Sequence, residues 1–275
     1  MRRALGLMLA SAVLAGCNNG GGNGNPAGPS TTIVSITIDG SGFLSRGATQ
    51  SFTATAMTSG GGTQPVTSGT WGSDAAGVVD ITPGGQATAV SLGLATVFVD
   101  FQGVRGTLLI RVVPSFAGEY LGMYTVTACA ATGDWVAVDA CGDTFSIGSL
   151  LPLAFLFAQT GATLTGQTAL GSIISPSFTA TVRDDGGVTI DVVANFSGIL
   201  FTETWELRAD EPGSITGTIR VVISEPSLAG NTTLEGTITE ALLTGAAAAS
   251  WRDALSTPDG SPFETFRDAV RQRRR

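Results

Sequence analysis

The chain has 275 residues, of which 43% are hydrophobic and only 13% charged, about half the usual charged fraction. Its 22 acidic residues outweigh 14 basic ones and leave a net charge of −8, which argues against a nucleic-acid partner because phosphate binding needs clustered positive charge. Histidine is absent, so Ser-His-Asp and Cys-His nucleophile systems are excluded, as are histidine zinc sites.

Arg2 and Arg3 precede an apolar run from Leu5 to Leu14, and the small residues Ala15 and Gly16 then lead to Cys17. This order is that of a secretory signal, and its ten apolar residues are half of what a bilayer span needs. Leu14-Ala15-Gly16-Cys17 resembles the lipobox of bacterial lipoproteins. The resemblance implies removal of residues 1–16, lipidation of Cys17 and attachment to the membrane by its acyl chains. Asn18 stands where an aspartate would favour inner-membrane retention, which points to the outer membrane or cell surface. Residues 17–30 are rich in Gly and Asn, with Pro26 and Pro29, and read as a tether of about 20 Å on a random-coil estimate.

From 31 to 114 short alternating runs are separated by Gly- and Pro-containing turns, the pattern of a β-sandwich. Strands are expected at 32–38, 49–57, 68–73, 77–82, 86–91, 94–101 and 104–113. Phe52, Ala54 and Ala56 share one face, as do Ala95, Val97 and Val99, and Leu108, Ile110 and Val112. The series Ile36-Thr37-Ile38, Gly47 to Ala54, Thr70-Trp71-Gly72-Ser73, Gly85 to Val90 and Gly93 to Val97 resembles bacterial Ig-like group 2 domains. The resemblance implies an extracytoplasmic Ig-like module, used as adhesin or spacer and carrying no catalytic residue. Trp71 is read as a core residue in preference to a sugar-stacking surface.

Residues 115–245 carry eight further expected strands: 118–128, 150–159, 162–170, 176–183, 187–196, 199–209, 213–223 and 232–241. Short turns such as Thr160-Gly161, Asp184 to Gly187 and Ser197-Gly198 make sequential strands antiparallel neighbours. Eight such strands close a small up-and-down barrel. Gly166, Gly217 and Gly236 recur mid-strand, where barrels bend or pack closely. In style the segment resembles lipocalin and avidin barrels, a likeness that transfers no binding residue. The fold class is therefore all-β: an Ig-like β-sandwich followed by an eight-stranded up-and-down antiparallel β-barrel. The apolar run Leu150 to Ala158 is read as a strand buried on both sides, with partial cover by another chain as the alternative.

Cys129 and Cys141 are the remaining cysteines, and an even pair in an exported chain points to a disulfide. It would pin a loop carrying Asp134, Trp135, Asp139 and Asp143 over the barrel mouth. Those acids could offer oxygen ligands to Ca²⁺ but lack EF-hand order, so no metal and no cofactor is assigned. Glu203 shares the inward face with Trp205 and Leu207. Glu203, Trp205 and Trp135 are the candidate ligand-contacting residues, and no catalytic residue is assigned. Residues 246–275 end in an arginine run and read as short helices or a solvated tail, with contact to anionic lipid or glycan as the sharper reading. The expected function is a non-enzymatic envelope lipoprotein in which the Ig-like spacer presents the barrel to a surface or protein partner. The alternative is a barrel that holds a small apolar or amphipathic ligand.

Overall fold

A computed structural model describes residues 31–142, 144–210, 213–244 and 262–273. The expectations for Cys17, the signal, the tether, Asp143 and the first C-terminal helix lie outside the described residues.

The N-terminal part forms ten strands: β1 (Ile33–Asp39), β2 (Phe43–Ser45), β3 (Thr49–Ser51), β4 (Thr53–Thr58), β5 (Thr63–Pro65), β6 (Thr70–Ser73), β7 (Val79–Ile81), β8 (Gln86–Ala89), β9 (Gly93–Phe101) and β10 (Val104–Val113). They make three sheets, β1-β4-β5, β3-β8-β7 and β2-β10-β9-β6, around one core. Alternation sets that core: Phe52, Ala54, Ala95, Val97, Val99, Ile110 and Val112 are all buried in it. The expected strand 49–57 is broken at Phe52, whose N–H donates to Gly85 O at 2.8 Å. The chain thereby leaves the β8 partner and joins β1, a change of sheet that alternation alone does not reveal. Trp71 is half-buried against the same core, with its ring over Gly85.

The second part is a barrel of β11 (Gly118–Ala131), β12 (Leu150–Thr160), β13 (Thr163–Leu170), β14 (Ile173–Ile174), β15 (Phe178–Thr181), β16 (Gly187–Phe196), β17 (Ile199–Asp210), β18 (Ser214–Ser224) and β19 (Thr232–Leu243). Hydrogen-bonded order runs β13-β12-β11-β19-β18-β17-β16, β15 pairs with β13, and one bridge between Val182 and Val188 brings the two ends together. The seven long strands and the short β15 thus form an antiparallel, nearly closed eight-stranded barrel. The expected strand 176–183 is shortened because Pro176 has no N–H to donate, and Ser175 Oγ instead accepts from Thr168 N at 2.9 Å. Gly166 and Gly217 sit where a Cβ would strike the carbonyls of Leu156 and Glu206, so the close approach expected of mid-strand glycines is present.

Inward positions fill the lumen. Tyr120, Tyr124, Leu153, Phe155, Phe157, Leu164, Ile190, Phe201, Trp205, Leu207, Ile219, Val221 and Leu234 belong to one buried cluster. The outward face of β12 corrects the expectation of burial on both sides: Leu150 is 61% exposed, and Pro152 and Leu156 are half-buried.

Gln159 stitches the linker between sandwich and barrel to the β12–β13 hairpin. Gln159 Nε2 donates to Pro114 O and to Gly161 O, both at 2.9 Å, while its Oε1 accepts from Phe116 N at 2.7 Å. Arg111 also pairs with Asp184 at 3.2 Å.

Candidate functional site

Strand β17 alternates Phe201, Glu203, Trp205 and Leu207 into the lumen, as the period-2 pattern requires. Glu203 is 0% exposed. Its Oε2 accepts from Trp205 Nε1 at 2.9 Å and from Thr168 Oγ1, across the barrel on β13, at 3.0 Å. Its Oε1 has no partner, and neither has the hydroxyl of buried Tyr124 on β11. Burial pushes the Glu203 carboxyl up to about 7, against the two hydrogen bonds that favour the ionised form. Burial also raises Tyr124, and the Glu203 charge adds to that shift.

Trp205 is held edge-on to Phe155, with ring centroids 5.1 Å apart, and Phe155 stacks on Phe157 at 5.0 Å. The carboxyl therefore lies in an aromatic and aliphatic interior. A buried polar pair with two unsatisfied oxygens calls for an explanation, since such atoms are nearly always partnered.

Trp135 belongs to the same buried cluster as Trp205. It sits in a 3-10 helix, Gly133–Val138, and is fully buried in the barrel mouth. Asp134 Oδ2 accepts from Ala229 N at 2.8 Å, which fixes the loop to the β18–β19 turn. Cys129 and Cys141 form the expected disulfide, with Cα atoms 5.5 Å apart. Reduction, or Cys141→Ser, should lower stability by about 2 to 3 kcal/mol on loop-closure entropy, as measured by urea unfolding with and without reductant; equal midpoints would refute this role.

What closes the mouth was not legible in advance. Helix α1 (Pro262–Arg273) lays buried Phe266 and Val270 into it. Phe266 stacks on Trp135 with centroids 6.0 Å apart and meets Phe145 and Phe201 edge-on at 5.3 and 6.3 Å. The reading of a solvated tail is corrected for this stretch: α1 is a cap. The signal was the i, i+4 spacing of Phe266 and Val270, masked by the neighbouring arginines. Thr168 and Tyr124, the polar neighbours of Glu203, also escaped sequence reasoning, because nothing in a strand pattern says which inward residues meet across a lumen.

No protein-family model matches the chain, and no curated protein matches it. Among solved structures, domains 5-6 of the S-layer protein SbsC match over 75% of this chain and 97% of their own length, at 10% identity and a TM-score of 0.29. At that score the likeness carries no argument about function.

Proposed function

We propose that the chain is a non-enzymatic, lipid-anchored envelope protein whose sandwich acts as spacer and whose barrel is recognised through its outer surface. The observation that carries this reading is the barrel itself: its lumen is packed with side chains and its mouth is capped by Phe266 and Val270. A filled, capped barrel leaves its exterior as the surface available to a protein or glycan partner. The Cys129–Cys141 disulfide supports an oxidising, extracytoplasmic setting. The Leu14-Ala15-Gly16-Cys17 motif supports an acyl anchor, and no described helix is long and apolar enough to cross a membrane.

Two experiments test it. Cys17→Ser should release the full-length protein from bacterial membranes into the soluble fraction; retention of the variant in the membrane pellet would sink the anchor. Native mass spectrometry of the full-length protein should give the mass of the chain with its lipid alone. A stoichiometric small molecule would favour the second reading, a ligand-binding barrel, which draws support from the unpartnered Glu203 Oε1 and Tyr124 hydroxyl.

A further inference from the structure

The hydrogen-bonded wall of the barrel is broken along one line, between β15 and β16. These strands are the arms of a hairpin, and at its turn they are joined: Arg183 N donates to Gly187 O at 2.7 Å, and Val182 bridges Val188. Outside the turn the Arg183 guanidinium reaches Thr189 and, at 3.2 Å, Glu206. Past Val188 the arms part. β15 follows β13 and β16 follows β17, and among the described residues no further backbone pairing joins β16 to β15 or β14.

The reason lies in the first arm. Pro176 has no N–H for a ladder. The preceding Ser175 is turned onto β13: its N–H donates to Thr168 O at 2.9 Å, and its carbonyl accepts from Gln167 Nε2 at 3.0 Å. The arm is committed to β13 and leaves the facing edge of β16 without a ladder.

Side chains seal what the backbone leaves open. Ile173 and Phe178 on one side and Ile190, Val192 and Ala194 on the other all belong to the buried cluster. One polar contact crosses the line inside the lumen, where Thr168 Oγ1 donates to Glu203 Oε2 at 3.0 Å. Thr168 stands on β13 and Glu203 on β17, each on the second strand from the break, so this bond ties the wall together across it. Both ends of the barrel are plugged, the mouth by Phe266 and Val270 and the sandwich end by Val113 and Phe116. The seam is therefore where the lumen can be reached at the cost of the fewest hydrogen bonds, the property of a unit that opens locally.

We infer that the barrel opens sideways along the line between β15 and β16, and that the Thr168–Glu203 hydrogen bond is the latch that holds it shut. Opening leads to the Glu203 carboxyl, whose Oε1 has no partner in the closed barrel, and gives water a way in that leaves both plugs in place.

The test compares two buried positions in one registered row. Ile190 on β16 and Ile219 on β18 are both registered with Trp205 of β17 and are 1% and 2% exposed, but only Ile190 borders the seam. Each is replaced by Cys in the full-length chain carrying Cys17→Ser, where Cys129 and Cys141 are paired and the new thiol is the single free one. Labelling of the native protein by a small thiol reagent should be at least about ten times faster at position 190 than at 219. Thr168→Val should speed labelling at 190 by about a further ten-fold, as loss of one hydrogen bond implies, and leave 219 unchanged, whereas Thr168→Ser should keep the slow rate. Equal rates at the two positions, or equal acceleration of both, would mean that the lumen is reached only by general loosening and would overturn the inference. Hydrogen exchange of the chain without added cysteines gives a reading free of any packing defect at 190 or 219. There Thr168→Val should raise exchange about ten-fold in β15 and β16 alone. No rise, or a rise shared equally by β18 and β19, overturns the latch.

Discussion

Phe266→Ala should destabilise the protein by about 3 kcal/mol, toward the lower end of the range for removing a buried aromatic side chain. The ring touches Trp135, Phe145 and Phe201 together, so its loss leaves a gap shared by three large groups. The cost is bounded because α1 enters the core through only two described side chains, Phe266 and Val270. Once the gap exceeds what docking of the helix is worth, the helix lifts away and the barrel stands without it. Two readouts follow: a lower urea midpoint, and stronger acrylamide quenching of Trp135, which is fully buried in the native chain. Phe266→Leu should recover most of both. A variant with unchanged midpoint and unchanged quenching would show that α1 does not close the mouth.

The second large effect is a pH dependence. Glu203 has a folded-state value of about 7 against an ordinary 4.5, so between those limits the folded state holds a proton that the unfolded state has lost. Stability contributed by this group is therefore fully present below about pH 4.5, falls as pH rises toward 7, and is flat above. The shift corresponds to about 3 kcal/mol at 1.36 kcal/mol per unit. The group is buried, so solvent screening does not erode the figure. The chain has no histidine, which removes the usual source of a transition between pH 5 and 8. Asp100 and Asp185 are shifted the other way, held down chiefly by the Arg105 guanidinium and the Gly187 N–H respectively, and act only at lower pH. Thermal unfolding across pH 5 to 8 should show the midpoint falling with pH in the native chain. Glu203→Gln should flatten that fall and make the protein more stable than the native chain at pH 8. A native midpoint that rises with pH in this window would contradict the assignment.

Much of the barrel was legible because strands of a closed sheet facing solvent on one side alternate cleanly. Val188, Ile190, Val192 and Ala194 are inward and buried, as period two requires, and the same rule put Glu203 and Trp205 inside. The rule fails where both faces are apolar. In Leu150 to Ala158 it cannot say whether the second face is covered, and the structure leaves Leu150 exposed. It also fails for elements too short to show a period, such as β2 and β5, and at Phe52, where one extended run serves two sheets. The candidate site divides in the same way. Glu203 follows from local alternation, whereas its partner Thr168 is 35 residues distant and its neighbour Tyr124 lies on another strand. Trp135 was placed at the mouth, but only the packing of Phe266 shows that it is a plug and not an open contact.

The Gln159 amide has a mechanical consequence. It binds Pro114, Phe116 and Gly161 at once, so the connection between β10 and β11 is stitched to the tip of the β12–β13 hairpin. A pull arriving along β10 is then shared between two neighbouring strands of the barrel and does not fall on the first residues of β11 alone. For a protein tugged from its N-terminal side, that shared anchorage is a strain relief, and a single glutamine provides it.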